Sequence, residues 1–255
     1  MGSAGRIRMP RWFSLLLLIG FVVNPSRASM NPAPTNETVV LLHGMGLRSW
    51  AMSRVEHALE REGYRVINLT YPSRSMPLQA LSQSWLPEQL ARENVNASAR
   101  LHFVTHSLGG ILLRTWLRDH GTPANFGRAV MLAPPNRGSE VAEHLKNFPP
   151  YRWITGVNGV RLGTSPDSAP LLLGRWPETA GPLGIIAGDR SLNPLFSAWI
   201  EGPDDGKVGV ARAQLEGATD FLVLHHSHTW LQWRADTHAQ IAAFLREGRF
   251  ARDAK

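Results

Sequence analysis

Ser107 stands in the run Thr105-His106-Ser107-Leu108-Gly109-Gly110. The apolar stretch Arg100–Thr105 precedes it, and a helical pattern through Ile111–Leu117 follows. A serine on a strand-to-helix turn projects its hydroxyl beyond the sheet, and small residues are needed beside it because neighbouring chain passes close by. Gly109 meets that need. Thr105, a β-branched residue, stands where the usual pattern has glycine. The helix opening behind Ser107 favours developing negative charge. The plainer alternative is that Ser107 only caps that helix.

A serine hydroxyl becomes reactive when a base takes its proton, and the base needs a third group to orient it. For a serine on such an elbow the chain order is serine, acid, histidine. His225, His226, His228 and His238 are the base candidates, since His120 and His144 come too early. His228 lies just past the apolar run Phe221–Leu224 and before the terminal helix, and it is preferred, with His226 as runner-up. His225 is expected to be solvated or part of the strand end, and His238 to sit on a helix surface. The His-His-x-His cluster lacks the helical spacing of zinc ligands, so no metal is expected. Asp205, next to Gly206 in Asp204-Asp205-Gly206-Lys207-Val208, is the preferred acid, because this loop can aim a carboxylate at an imidazole. Asp189 is the serious competitor, although Arg190 beside it suggests an ion pair; Asp204 ranks third. Asp220 is expected to be exposed.

Val39–Leu42 runs into His43-Gly44-Met45-Gly46. Glycines let backbone N–H groups face a cavity, where they can hold a tetrahedral oxyanion; losing one such donor costs on the order of 3 kcal/mol. The N–H groups of Met45 and Leu108 are assigned to this role.

The elements that must carry these residues follow from periodicity. Strands are expected at Thr38–His43, Tyr64–Leu69, Arg100–Thr105, Arg128–Leu132, Leu183–Ala187, Lys207–Val210 and Phe221–Leu224. Helices are expected at Ser49–Glu62, through Ile111–Leu117 and at Ala235–Glu247. Strands alternating with helices imply parallel pairing, and unbroken apolar runs imply strands covered on both faces. The fold class is therefore a three-layer α/β sandwich with a mostly parallel central sheet. Its ligand site belongs at the carboxyl ends of the strands.

The 255 residues carry 27 Lys+Arg, 20 Asp+Glu and no cysteine. Disulfides, thiolate metal sites and a cysteine nucleophile are thereby excluded. Arg6, Arg8 and Arg11 precede the apolar run Trp12–Val23, and Ser26-Arg27-Ala28 offers small residues for cleavage. That layout is a secretory signal over residues 1–28, too short to span a bilayer comfortably. Residues 29–36 form a linker and 37–255 a single catalytic domain. The protein is expected to be exported, periplasmic or secreted; an uncleaved membrane anchor is the alternative. Four of the basic residues lie in the leader, and no basic patch interleaved with aromatics appears elsewhere, so nucleic acid is not an expected partner.

With these residues in place, the chain resembles the α/β-hydrolase superfamily, and within it the bacterial lipase/esterase branch. The resemblance runs from TVVLLHGMG through THSLGG and GPDDGKVGV to HSHTWL and the final helix, and Asn68–Ser73 resembles a lipase loop. It implies Ser107 as nucleophile, Asp205 as acid, His228 as base, and Met45 and Leu108 as oxyanion donors. The activity implied is hydrolysis of carboxylic or lipid esters through an acyl-enzyme, without a cofactor. The partner is an ester substrate, with a lipid or membrane surface as a further one. An acyltransferase or amidase on the same triad, or a non-catalytic binding protein, are the rival readings. The aromatics of Phe148–Ile154 either line an acyl pocket, touch lipid or pack as a connector. The region between Ser139 and Leu183 is too short for a large lid domain.

Overall fold

Six strands line up in the order β2-β1-β3-β4-β5-β6, and every neighbouring pair is parallel. They are β1 (Glu37–Leu42), β2 (Arg65–Leu69), β3 (Arg100–His106), β4 (Phe126–Leu132), β5 (Leu183–Gly188) and β6 (Asp220–Leu224). This computed structural model describes residues 1–2 and 36–252. The expected leader and linker lie almost wholly outside that range. Among the described residues no helix is long and apolar enough to cross a membrane.

The apolar runs of β1, β3, β4 and β5 are continuous because these strands are covered on both faces, whereas the edge strands β2 and β6 are only partly buried. Val39 and Leu41 pack with Val104, Val130, Ile186 and Phe244 on one side of the sheet. Val40 and Leu42 pack with Leu101, Phe103, Leu112 and Trp116 on the other. Full burial of one such side chain contributes about 1.5–3 kcal/mol. The helix Leu108–His120 supplies much of the second layer, with Leu108–Leu117 all buried. The helices Ser53–Arg61 and Ala235–Glu247 cover the first.

Chain order reverses between β1 and β3: β2 lies outward of β1, and β3 to β6 run the other way. Loops leaving the two strands at such a point diverge and open a crevice. The loop after β1 carries Met45, and the turn after β3 carries Ser107.

Two expectations need correction. Lys207–Val210 is not a strand; Val210–Ala213 is a helical turn, and an isolated antiparallel bridge joins Asp204 to Gly209. The reason is local: the Lys207 and Val208 amides donate to Asp205 Oδ1 at 3.0 and 2.9 Å, so they cannot serve a ladder. Asp220 is half-buried rather than exposed, accepting from the Phe250 amide at 2.9 Å and from Arg252 Nη2 at 2.6 Å.

Candidate active site

Ser107 is held at φ 52° and ψ −119°, between the end of β3 and the first residue of the helix Leu108–His120. A non-glycine residue in such a conformation stores of order 1–3 kcal/mol. Its N–H donates to the Leu132 carbonyl at 2.8 Å, and its own carbonyl accepts from Gly110 at 3.0 Å. A Cβ on Gly109 would lie 2.4 Å from the Leu42 carbonyl oxygen, so only glycine lets the helix start this close to β1. Thr105 fits where glycine is usual because it sits within β3, buried, between Leu42 and Met131. Its hydroxyl has no hydrogen-bond partner among the described residues.

His228 Nε2 lies 3.0 Å from Ser107 Oγ, and His228 Nδ1 lies 2.8 Å from Asp205 Oδ2. The ring and the carboxylate are both buried. Asp205 Oδ1 accepts the two amides named above, and the Asp205 carbonyl accepts the His228 N–H at 3.0 Å. Both carboxylate oxygens are thus occupied and the imidazole has one orientation. Gly206, at φ 93°, makes the turn that allows it.

The competing residues go elsewhere. Asp189 Oδ1 accepts from His225 Nδ1 at 2.9 Å, so its partner is that histidine rather than Arg190. His226 Nε2 donates to Asp236 at 2.7 Å. Asp204 Oδ1 accepts from Ser197 Oγ and the Gly206 amide. Each histidine of the 225–228 cluster therefore has its own carboxylate, and His228 alone of the three reaches Ser107. His238 Nε2 donates to the Gln232 carbonyl at 2.9 Å.

Two further histidines shape the site, and the sequence reading did not single them out. His43 Nδ1–H donates to the Gly44 carbonyl at 2.7 Å, and its Nε2 accepts the Tyr71 amide at 3.2 Å. Tyr71 stacks on the ring at 4.2 Å and donates its hydroxyl to the His43 carbonyl at 2.6 Å. Burial lowers the His43 pKa against the pull of the Gly44 bond, which keeps the ring neutral in this tautomer. Because the Gly44 carbonyl is held toward His43, the N–H of the same trans peptide, that of Met45, points the other way. The Met45 and Leu108 amides have no acceptor among the described residues. Leu108 is the first residue of its helix, where amides lack intrahelical partners. The second histidine, His106, is buried beside Ser107 and donates Nε2–H to the His228 carbonyl.

A cavity of about 480 Å³ opens over Ser107 and His228, with Met45 at its edge. Tyr151, Ile154, Leu162 and Phe196 give it an apolar wall. The Phe148–Ile154 aromatics divide: Tyr151 lines the cavity, while Trp153, next in chain to the cavity-lining Ile154, is 78% exposed. Tyr151 and Trp153 sit on the helical segment Pro149–Gly159, which begins with two prolines where missing N–H groups cost nothing and is broken by a kink at Gly156 (φ 67°).

The profile of the alpha/beta hydrolase family matches residues 39–250. No curated protein sequence matches the chain. Among solved structures, the mature form of Bacillus licheniformis lipase BlEst2 is similar at TM-score 0.64 and 18% identity, over 85% of this chain and 94% of that one. A metagenomic carboxyl esterase, MGS0156, is similar at TM-score 0.62 and 20% identity, over 79% of this chain and 67% of that one. A monoacylglycerol lipase from Paleococcus ferrophilus is similar at TM-score 0.54 and 16% identity, over 84% of this chain and 95% of that one. At these identities the likeness concerns the fold.

Proposed function

From the premise that this chain belongs to the alpha/beta hydrolase family, we propose that it hydrolyses carboxylic esters with Ser107 as nucleophile, His228 as base and Asp205 as the orienting acid. The observation that carries the reading is the unbroken hydrogen-bonded line from Ser107 Oγ through the His228 ring to Asp205 Oδ2, at 3.0 and 2.8 Å.

His228 Nε2 takes the Ser107 proton as Oγ attacks the ester carbonyl carbon. The resulting oxyanion is held by the Met45 and Leu108 N–H groups. The tetrahedral adduct collapses, and His228 passes its proton to the departing alcohol. Water then attacks the acyl-serine, with His228 again taking a proton and returning it to Ser107. Asp205 holds Nδ1–H throughout and stabilises the imidazolium. No cofactor enters these steps.

The apolar wall of Tyr151, Ile154, Leu162 and Phe196 suits an acyl chain, and the exposed Trp153 and Leu195, chain neighbours of Ile154 and Phe196, suit a lipid ester. Export behind the 1–28 leader is part of the proposal. N-terminal sequencing of the protein recovered outside the cytoplasm checks it: a chain still starting at Met1 contradicts cleavage.

The deciding experiment is a panel of esters of increasing acyl length, run on the unsubstituted protein and on Ser107→Ala. Loss of at least ~10³-fold is expected for the variant. Equal rates would remove the triad.

A further inference from the structure

A second cavity, of about 570 Å³, is lined by Arg54, His57, Arg61, Trp233, Arg234, Ala235, Asp236 and His238. Arg54, His57 and Arg61 fall on one face of the helix Ser53–Arg61, at spacings of three and seven. Arg234 and His238 come from the start of the helix Ala235–Glu247. Two helices thus converge three guanidinium groups, and none of these has a carboxylate partner among the described residues. Two acids share the site: Asp236 lines the cavity and feels the Arg234 charge, but its carboxylate bonds to His226 at 2.7 Å, and Glu60 pairs with His57 at 3.4 Å. Besides burial, the charges of Arg54 and Arg61 lower the His238 pKa, while that of Asp236 raises it.

An aromatic shelf adjoins the arginines, which corrects the expectation that no basic patch interleaved with aromatics occurs beyond the leader: the patch forms only when Trp50–Arg61 and Trp230–Arg234, distant along the chain, are folded together. Arg54 lies 5.3 Å over the Trp233 ring. Trp50 and Trp230 approach Trp233 at 6.0 and 6.1 Å, yet they stay 55% and 52% exposed. The shelf is continuous in chain with the catalytic mouth: Leu47 and Thr229 line that cavity, and Trp50 and Trp230 follow a few residues on. Guanidinium groups match phosphate oxygens in a planar, two-point fashion. Tryptophan side chains prefer the headgroup level of a membrane, with the ring apolar and the N–H wet.

We propose that this basic and aromatic face docks the protein on an anionic phospholipid surface, with Arg54, Arg61 and Arg234 taking phosphate groups and Trp50 and Trp230 seated among the headgroups. Docking is an equilibrium step separate from turnover, so it stands or falls independently of the proposed triad.

Co-sedimentation with vesicles tests it. The full-length protein is expected to bind equimolar phosphatidylglycerol–phosphatidylcholine vesicles far better than phosphatidylcholine alone, and to be released by salt. Replacing the three arginines together by glutamine should weaken binding by roughly 100-fold, while replacement by lysine retains most of it. Trp50→Ala with Trp230→Ala should lower binding to both vesicle types. Thermal unfolding of each variant shows whether it is folded. Undiminished vesicle binding by a folded glutamine variant overturns the proposal. So does protection by inorganic phosphate without vesicle binding, which would make this a free-phosphate site. Loss of binding in Trp153→Ala and Leu195→Ala alone would move docking to the rim of the catalytic cavity.

Discussion

His106 Nε2 lies 3.0 Å from the backbone oxygen of His228, and the two rings stand 5.0 Å apart. A carbonyl only accepts, so His106 donates, and its Nδ1 is left buried without a partner among the described residues. The residue beside the elbow serine therefore fixes the loop that carries the proposed base. A displacement of ~1 Å at such a site can cost about 10²-fold. His106→Ala should lower kcat on a soluble ester by roughly 10- to 100-fold with KM nearly unchanged. His106→Gln, which keeps an N–H donor, should recover part of that loss. Steady-state kinetics of both variants decide; a change confined to KM would mean that His106 touches substrate instead.

Acidification should destabilise the fold. Burial pushes His106 well below the ordinary histidine value of 6.5, with the His228 charge acting in the same direction. Burial also lowers His43. Unfolded, both titrate near the ordinary value. Below it, the unfolded chain binds protons that the folded chain refuses, so stability is present above pH ~6.5 and is lost as pH falls. The slope is about 1.4 kcal/mol per pH unit for each group fully protonated only when unfolded. Tm is expected to fall between pH 7 and pH 5, and less steeply in His106→Gln. A Tm that climbs on acidification would contradict the neutral buried rings.

Asp205 and Asp189 separate cleanly. Asp205→Asn removes the charge facing His228 Nδ1 and should cost on the order of 10³–10⁴ in kcat. Asp189 meets only the exposed ring of His225, a pair worth ~1 kcal/mol or less to stability. Asp189→Asn should leave ester hydrolysis within about 2-fold of the starting rate. The reverse pattern would reassign the acid.

Thr105 carries a buried hydroxyl that bonds to nothing among the described residues. Valine has nearly the same shape without the polar group, whose unpaired burial costs roughly 1–3 kcal/mol. Thr105→Val should therefore leave Tm unchanged or raise it, with hydrolysis preserved. Calorimetry showing a clear drop would reveal a partner for that hydroxyl.

The central strands were legible because they are buried on both faces and so appear as unbroken apolar runs; β1, β3 and β5 match their expected spans to within a residue at either end. Ser107 was legible from its glycines and the strand before it. Some of what escaped depends on contacts remote in sequence, and some on side-chain competition close by. His43 and His106 look like ordinary motif residues until Tyr71 and His228 are brought against them. Lys207–Val210 has strand-forming composition, but a carboxylate two residues upstream takes its amides. The helix Pro149–Gly159 begins with prolines, a start signal that also reads as a connector.

For the proposed triad, the order of the sheet has a bearing on when the molecule can act. Ser107 follows β3 near the middle, whereas Asp205 and His228 arrive only with the chain after β5, and β6 must close on the far edge to bring the imidazole across. A growing or refolding polypeptide thus holds an inert hydroxyl until its outermost seam is sealed. Reactivity is withheld until assembly is complete.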